Sequence, residues 1–375
     1  MRANKWLHFF DRYGGIPLLW ALGLLRRKKK LSAPIASFGL LNTAAIGDTI
    51  LITGVIADLQ EQFPEAKITF FVGPSNVEAA QLIAGIEVVQ IQVTKLWQAI
   101  RIIRHHRVDV WLDFGQWPRI NGLFSYFAKA RFKVGFQTPN QYRHYIYDQA
   151  IPHRYCHELE NFRSLLCPLG IVGSHAPKIV LPQREKSDVK LALHLNPGGS
   201  QAHLKRWPES HWVALIDAVT KQGLQVFLTG GKGDWPLCER VKKQCAQPEQ
   251  IAIVAGQLSL RETGELLLSC VALVTVDTGI MHLGAAVGCK TLALHGPSSA
   301  KRWGGVGSHV IPITPKKGYS PCLSLGFEKG CTQSHCMEAI EPSQVMQVLF
   351  EEIEKEKTKK RPLSANRGWL HPIHR

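Results

Sequence analysis

Residues 271–297 restrict the fold of this chain more than any other stretch. Residues 271–276 predict a buried strand that ends in Asp277-Thr278-Gly279 at the start of a helix, and residues 292–294 predict a second buried strand before Gly296-Pro297. A strand, a helix and a strand in this order are typical of a parallel α/β unit. Because open α/β sheets bind ligands at the carboxyl ends of their strands, the turn at residues 277–279 is a candidate ligand site.

The residue types in this turn suit an anionic ligand. A helix N-terminus offers free N–H groups and a positive dipole end, so Thr278 and Gly279 are candidates to hold a phosphate while Asp277 accepts from a sugar hydroxyl. His282, one turn later, could add a proton or a charge to the same phosphate. The alternative is an ordinary capped helix, with Asp277 or Thr278 as the N-cap and His282 as a surface residue.

Two further turns in this half have the same design. A predicted strand at residues 193–195 leads into Pro197-Gly198-Gly199-Ser200, and Lys205 and Arg206 follow closely. The glycines let the backbone approach an anion, although a solvated Lys-Arg pair on a loop is the alternative. The third turn, residues 229–234, contains Asp234 and could wrap a ribose or a base.

The amino-terminal half contains a related turn. Residues 35–41 predict a strand, residues 42–48 a turn, and residues from Thr49 to about 63 an apolar helix. Asp48 therefore lies at the mouth of its own domain, where a carboxylate could act as a general base. The alternative is a carboxylate that simply favours the positive end of the helix.

Together, Gly47-Asp48, the Pro-Gly-Gly-Ser and Lys-Arg-Trp-Pro segment, and Asp277-Thr278-Gly279 with His282 resemble the heptosyltransferase family of bacterial lipopolysaccharide glycosyltransferases. The resemblance runs from about residue 35 to about residue 348. It implies an α/β fold of the GT-B type, in which two Rossmann-like domains with mainly parallel sheets face each other across a cleft. It also implies that the first domain binds the acceptor and the second binds the sugar nucleotide.

The resemblance further implies roles for individual residues. Asp48 matches the base for the acceptor hydroxyl, and Lys205 matches the lysine that neutralises the diphosphate leaving group. The residues that match donor-binding positions are Gly199, Ser200, Asp234, Leu258, Asp277, Thr278, Gly279 and His282. The Gly199-Ser200 pair stands where the family often has threonine, and Asp234 and Leu258 align only loosely with positions near the ribose and adenine.

The residue types agree with sugar transfer on chemical grounds. Negative charge develops on a departing diphosphate, so cations and N–H donors aimed at the phosphates stabilise the transition state. The chain contains no Asp-x-Asp motif of the kind that holds a metal in other enzymes of this class. We therefore expect inversion by direct displacement, with a nucleotide diphosphate sugar as co-substrate and with neither a metal nor another cofactor.

Length and charge define the domain organisation. The 375 residues suit two domains, at residues 31–180 and 188–350, between a segment at residues 1–30 and a basic tail at residues 351–375. The net charge is +16, but residues 1–30 carry +7 and residues 355–375 carry +6. The remaining +3 provides no basic stripe that could follow a nucleic-acid backbone, which argues against nucleic acid as a partner.

Residues 15–25 form an apolar stretch that is followed by five Lys and Arg residues. The stretch is too short to span a bilayer, which needs about 20 residues as a helix, and it suits an interfacial or re-entrant helix on an anionic membrane. In a signal peptide the positive charges would precede the apolar stretch. We expect a cytoplasmic protein, peripheral on the cytoplasmic face of the inner membrane, because lipid-linked acceptors are made there.

Acceptor recognition and the cysteines are less well defined. Arg119 and Arg143 follow predicted strands and could meet an acidic or phosphorylated acceptor, or they could be solvated loop residues. Cys322, Cys331 and Cys336 are clustered, but they lack the Cys-x-x-Cys pair typical of zinc sites. Free thiols in a reduced compartment are the simpler interpretation.

The sequence therefore predicts an inverting glycosyltransferase that most simply moves heptose from ADP-heptose onto a lipid-linked envelope glycan such as the lipopolysaccharide core. One alternative is the same scaffold with another nucleotide diphosphate sugar. A second is a non-catalytic protein that binds a sugar nucleotide or a glycan, and a third is a sugar-nucleotide epimerase of similar architecture.

Overall fold

Two parallel six-stranded sheets make up the fold in the computed structural model, which describes residues 13–199, 201–316, 321–324 and 331–360. The first sheet contains β1 (Ser37–Asn42), β2 (Lys67–Val72), β3 (Glu87–Gln90), β4 (Arg107–Asp113), β5 (Lys129–Gln137) and β6 (Gln149–Pro152). The second contains β7 (Lys190–His194), β8 (Gln225–Thr229), β9 (Ile251–Ile253), β10 (Ala272–Val276), β11 (Thr291–Leu294) and β12 (Val310–Ile313).

Helices connect the strands in both halves. The first half contains α1 (Gly15–Leu24), α2 (Ile46–Gln62), α3 (Val77–Ala80), α4 (Leu96–His105), α5 (Arg119–Phe127) and α6 (Glu158–Ser164). The second contains α7 (Glu209–Lys221), α8 (Trp235–Gln244), α9 (Leu260–Ser269), α10 (Gly279–Val287), α11 (Ala300–Trp303), α12 (His335–Glu338) and α13 (Pro342–Lys360). Short 3₁₀ turns lie at Arg143–Ile146, Cys167–Leu169, Ala202–Lys205, Lys232–Asp234 and Pro248–Gln250.

The two sheets have the same topology. The strand order is β3-β2-β1-β4-β5-β6 in the first and β9-β8-β7-β10-β11-β12 in the second, and all pairings are parallel. This order reverses direction between β1 and β4 and between β7 and β10, which are the places where doubly wound sheets bind ligands. The predicted α/β fold with two Rossmann-like halves is confirmed.

Helix α2 is buried almost all round, as its apolar sequence requires. Leu51 and Val55 pack into the core of the first domain, whereas Ile50 joins Leu260 and Leu283 in a cluster that belongs mainly to the second. The helix begins at Ile46, earlier than predicted, directly after Ala45, which has a positive φ of 77°. α2 therefore connects the two cores.

The segment between the two sheets is fixed to both domains. The carboxylate of Asp58 on α2 accepts hydrogen bonds from the backbone N–H groups of Ser174 and His175, each at 2.9 Å. Further along, the N–H of Ile179 donates to the carbonyl of Ala286 at 3.0 Å. The connection therefore runs along α2 and then along α10 before it enters β7.

A buried ion pair joins the domains at a second place. Glu158 at the start of α6 is fully buried and accepts from Arg302 of α11 at 3.3 Å. The same carboxylate accepts from Gln116 at 3.2 Å and contacts the His153 ring nitrogen at 2.6 Å. Because both charges are removed from water, each depends on the other for compensation.

Helix α1 packs on α5 and on the 3₁₀ turn at Arg143–Ile146. Leu19 is its one buried residue, and after the helix the guanidinium of Arg26 pairs with Asp148 at 2.6 Å. No helix among the described residues is both long enough and apolar enough to cross a bilayer. The ten residues of α1 pack on the first domain and keep part of their surface exposed.

We expect Glu158→Gln to lower the free energy of unfolding by about 3 kcal/mol, because it leaves the Arg302 charge buried without its partner. Urea denaturation measures this difference. Glu160→Gln on the same helix is the matched control, since its ion pair with Arg163 is exposed and such pairs contribute about 1 kcal/mol or less. Equal stability of the two variants would contradict the assigned role of the pair.

Candidate active site

A cavity of about 1140 Å³ lies between the domains, at the carboxyl ends of both sheets. It is lined by residues from the turns that follow β1, β4, β7, β8 and β10. The residues predicted for catalysis and donor binding that line it are Asp48, Gly199, Lys205, Asp234, Leu258, Asp277, Thr278, Gly279 and His282. Ser200 lies outside the described residues. Residues from both halves of the sequence thus meet in one space.

Close contact between two glycines brings the domains together at this cavity. A Cβ on Gly47 would lie 2.7 Å from Cδ2 of His282, and a Cβ on Gly279 would lie 2.9 Å from Cβ of Ile46. The first turns of α2 and α10 therefore touch across the domain boundary. Both helices present their N-termini, with free N–H groups and positive dipole ends, toward the same cavity.

The turn before α10 combines a cap with a charged pair. Thr278 is the N-cap of α10, since its hydroxyl accepts from the N–H of Ile280 at 3.0 Å. This agrees with the ordinary capped helix that the sequence offered as an alternative. Asp277 lies 3.1 Å from the ammonium of Lys205, which ends the 3₁₀ turn at Ala202–Lys205. Lys205 and Asp277, far apart in sequence, form one ion pair in the cavity wall.

Asp277 stays ionised despite its burial. Burial alone would raise its pKa, but the Lys205 ammonium, His295 and a hydrogen bond from Ser298 hold the pKa of Asp277 well below its ordinary value. The carboxylate is therefore a permanent acceptor. Because Lys205 contacts it from one side, the ammonium is held in the cavity in a defined place rather than moving freely in solvent.

His282 is a buried, neutral imidazole against the first turn of α2. Burial lowers its pKa to about 4, although the nearby Asp277 carboxylate opposes this change. The ring is 5% exposed, and among the described residues its Nδ1 has no hydrogen-bond partner. The surface position considered as an alternative is therefore wrong. A buried polar atom without a partner, in the wall of a cavity, is suited to contact a ligand.

The turns after β7 and β8 are tied together by Asp234. Its carboxylate accepts from the side-chain amide of Asn196 at 2.6 Å and from the N–H of Gly231 at 2.7 Å. His194 at the end of β7 is also neutral, because burial lowers its pKa to about 4. Gly199 has a φ of +83°, a backbone conformation that favours glycine. Asp234 thus shapes the cavity wall through bonds within the protein.

Asp48 lies in the first turn of α2, where it is 6% exposed and lines the cavity. Thr49 stabilises the start of this helix, because its N–H and its hydroxyl both donate to the carbonyl of Ala45, at 3.2 and 3.0 Å. Asp48 therefore lies in the wall of the cavity that the Lys205 and Asp277 pair of the other domain also lines.

The structure does not bring Arg119 or Arg143 to the cavity. Arg143 is fully buried: its guanidinium donates to Asp113 and to the Tyr147 hydroxyl, both at 2.6 Å, and these partners raise its pKa against the effect of burial. Arg119 donates to the carbonyl of Asn140 at 3.0 Å and is 6% exposed. Strand ends hold buried as well as exposed residues, and the sequence pattern did not distinguish them.

Arg143 nevertheless supports the cavity wall from behind. Arg143 also donates to the carbonyl of Gly115, while the N–H of Gly115 donates to Asp113 at 2.9 Å. Gly115 begins the loop at residues 115–118 that lines the cavity. The buried cluster therefore fixes the path of this loop of the first domain.

Sequence reasoning missed several residues that line the cavity. Gln116 and Trp117 follow β4, and Trp303, Leu323 and Ser324 belong to a segment that closes one side. The indole of Trp303 donates to the carbonyl of Ser324 at 2.6 Å. No local motif marks these residues, because long-range pairing places them there.

The cysteines are free thiols. Cys331 shares a hydrogen bond with Cys322 that raises its pKa. Within the part of the chain that the structure describes, no group of three or more His, Cys, Asp or Glu side chains is placed to hold a metal ion.

Comparisons with known proteins agree with this geometry. The family model described as glycosyltransferase family 9 (heptosyltransferase) matches residues 93–332, a range that includes Lys205 and Asp277 but not Asp48. Lipooligosaccharide heptosyltransferase 2 of Haemophilus influenzae is 37% identical over 107 residues, which are 28% of this chain and 30% of that protein. The alignment therefore spans less than a third of this relative.

Solved structures share the fold over a longer range. The structure of the Escherichia coli ADP-heptose lipopolysaccharide heptosyltransferase II has a TM-score of 0.71 at 18% identity, and the match covers 86% of this chain and 99% of that one. The iron-containing dodecameric glycosyltransferase TibC from enterotoxigenic E. coli has a TM-score of 0.57 at 14% identity, over 88% of this chain and 78% of TibC.

The neutral state of His282 leads to a prediction about acid stability. Its folded-state pKa of about 4 lies below the ordinary value of 6.5, so the unfolded chain takes up the proton first as the pH falls. The free energy of unfolding should therefore decrease from pH 6.5 to pH 4. We expect His282→Asn to remove up to about 3 kcal/mol of this decrease, measured by urea titrations across the range.

His203 is exposed, so His203→Asn is the control that removes an imidazole without removing a buried one. If His282→Asn keeps the wild-type dependence on pH, His282 is not held neutral in the folded protein.

Proposed function

Because the chain belongs to glycosyltransferase family 9, the heptosyltransferase family, we propose that it is an inverting glycosyltransferase that moves heptose from ADP-heptose onto a lipid-linked envelope glycan such as the lipopolysaccharide core. One observation carries the proposal: the Lys205 and Asp277 pair and two helix N-termini share one cavity between the domains. The E. coli structure named for ADP-heptose has the same fold.

The donor side of the reaction follows from the second domain. In transfer, the bond between the anomeric carbon and the diphosphate oxygen breaks, and ADP departs with the bonding electrons. The Lys205 ammonium and the N-terminus of α10 oppose the developing negative charge, which is the interaction that stabilises such transition states most. Thr278 keeps the end of α10 ordered, and the His282 side chain lies one turn further along α10, in the wall of the same cavity.

The acceptor side follows from the first domain. An acceptor hydroxyl attacks the anomeric carbon from the face opposite the departing diphosphate, and its proton passes to the Asp48 carboxylate. Direct displacement of this kind inverts the anomeric configuration. The loop at residues 115–118 lies on the same side of the cavity and would contact the acceptor sugars.

We propose that the reaction needs no metal, because Lys205 and the helix N-terminus supply the positive charge that a metal supplies elsewhere. The fold match to TibC, which is described as iron-containing, makes this a point to test directly. Transfer should persist in EDTA. Loss of activity that Mg²⁺, Mn²⁺ or Fe²⁺ restores would show that a metal takes part.

The same geometry accommodates other nucleotide diphosphate sugars, and ligand stabilisation distinguishes them. A ligand that binds only the folded state raises its apparent stability, so ADP should raise the melting temperature more than UDP or GDP does. A larger rise in melting temperature with UDP or GDP would keep the proposed reaction but change the nucleotide of the donor. An epimerase would turn over the nucleotide sugar without acceptor.

We also propose that the protein works on the cytoplasmic face of the inner membrane. Trp20, Leu24 and Leu25 are half or more exposed on and after α1, and five Lys and Arg residues follow Leu25 in the sequence. An apolar surface beside cations suits the headgroup region of an anionic bilayer. The basic tail at residues 351–375 lies largely outside the described residues.

We expect Asp48→Asn to lower the transfer rate by about 10²–10⁴-fold while ADP still raises the melting temperature, because the acceptor base is lost and the donor site is intact. Lys205→Met should weaken both transfer and the ADP effect, with the exposed Lys221→Met as its control. Loss of ADP binding in Asp48→Asn would place Asp48 in the donor site instead. An unchanged transfer rate in Asp48→Asn would mean that another group takes the proton from the acceptor hydroxyl.

We expect Leu24→Ser with Leu25→Ser to lower partitioning onto vesicles that contain phosphatidylglycerol by about tenfold or more, since two leucines would no longer enter the interface. Vesicle sedimentation of the full-length chain measures this. Val172→Ser with Val180→Ser, at exposed positions outside α1, is the matched control. Equal partitioning of both double variants would contradict insertion by α1.

A further inference from the structure

A second concave surface lies on the first domain, away from the cavity between the domains. It is an open groove of about 520 Å³ with Ile100 and Phe127 among its lining residues. Its other lining residues are Trp97, Arg101, Arg104, His105 and Lys129, which we call the basic groove. Trp97 is 76% exposed, an unusual state for the largest apolar side chain. None of these residues lines the cavity between the domains.

The helix that builds the groove separates its two faces cleanly. Ala99, Ile100 and Ile103 of α4 are buried against the sheet and α5. Trp97, Arg101 and Arg104 follow one another at intervals of four and three residues, so they lie on one exposed stripe of the helix. The groove therefore displays an aromatic ring and two guanidinium groups in the same direction.

Charge is distributed unevenly between the two faces of the first sheet. Residues 15–30, 95–105 and 119–129, which contain α1, α4 and α5, include ten Lys and Arg and no Asp or Glu. α2, which packs on the second domain from the opposite face, contains Asp48, Asp58 and Glu61 and no Lys or Arg. The helices on one face of this domain thus carry basic residues and no acidic ones.

Helix α5 lies between the groove and α1. It contacts α4 at one side, and it contacts α1 at the other, where Leu19 packs over Gly122. The exposed apolar residues of α1 and the basic groove are therefore parts of one continuous face of the molecule.

We propose that the basic groove binds the phosphate of an anionic phospholipid headgroup and that it forms, with α1, a two-part surface that docks on the membrane. Guanidinium groups recognise phosphate oxygens through paired, charge-assisted hydrogen bonds. Trp97 would lie at the level of the headgroups, where amphipathic rings are favoured. A soluble phosphate would make no use of the exposed indole or of the neighbouring apolar helix.

Two contacts on one face fix orientation as well as affinity. A single helix at the interface leaves the protein free to rotate about it, whereas a second contact beyond α5 defines which face meets the bilayer. This proposal extends the membrane location proposed above and rests on it, but it makes no use of the transfer reaction. Its residues are distinct from those of α1, so the two can be tested separately.

The test uses the full-length chain and vesicles of phosphatidylcholine with 30% phosphatidylglycerol, a composition rich enough in anionic lipid to occupy the groove at about physiological ionic strength. Arg101→Gln with Arg104→Gln should lower the partition coefficient about tenfold, since each cation near an anionic surface contributes several-fold. Lys221→Gln with Arg261→Gln removes the same charge from exposed sites of the second domain and should lower it less than twofold. Each variant should keep the ADP-induced rise in melting temperature.

A second arm separates the lipid from a soluble phosphate. Trp97→Ser should also lower partitioning, and inorganic phosphate at matched ionic strength should not displace the wild-type protein from vesicles. Displacement by phosphate, with unchanged partitioning of Trp97→Ser, would make the groove a site for a soluble anion and would overturn the proposal. Equal partitioning of the two arginine and control double variants would also overturn it, even if the α1 variant shows that the membrane location is correct. Failure of the wild-type protein to partition at all would overturn both.

Discussion

The contact between the first turns of α2 and α10 is the constraint on which the rest of the molecule depends. It exists because Gly47 and Gly279 have no side chains at the point where the two domains touch. Two positive helix ends then face one space, an arrangement that would repel itself without nearby negative charge. The ionised Asp277 supplies such charge on the second domain. The site proposed for a diphosphate thus already holds helix N–H donors and the Lys205 ammonium beside Asp277.

Burial sets the protonation states of two histidines in the cavity wall, His194 and His282. His194 and His282 remain neutral because the protein removes them from water, and both keep one nitrogen able to accept a hydrogen bond. Lys205, in contrast, is held next to a carboxylate. The Lys205 ammonium, held at a defined place beside neutral rings, directs its favourable field to one part of a ligand.

Much of this could be predicted from sequence, and the reasons for success and failure are physical. Alternating apolar runs and glycine turns predict parallel strands whose ends carry ligand residues, and the turns at Asp48, Lys205 and Asp277 do meet in one cavity. Local pattern says nothing about what covers a residue from far along the chain. Arg143 is therefore buried under α1 and α5 although its position after a strand suggested exposure, and Trp303 reaches the cavity through a long-range pairing that no motif records.

The ion pair between Glu158 and Arg302 also constrains how this sequence can diverge. A change at either position alone leaves a buried charge without compensation, so a lineage that alters one must pass through a destabilised protein or alter both together. Gln116 and His153 bond the same carboxylate, which extends the restriction to neighbours on the first domain. These positions should therefore vary as a group across related sequences, whereas the exposed residues around them drift independently.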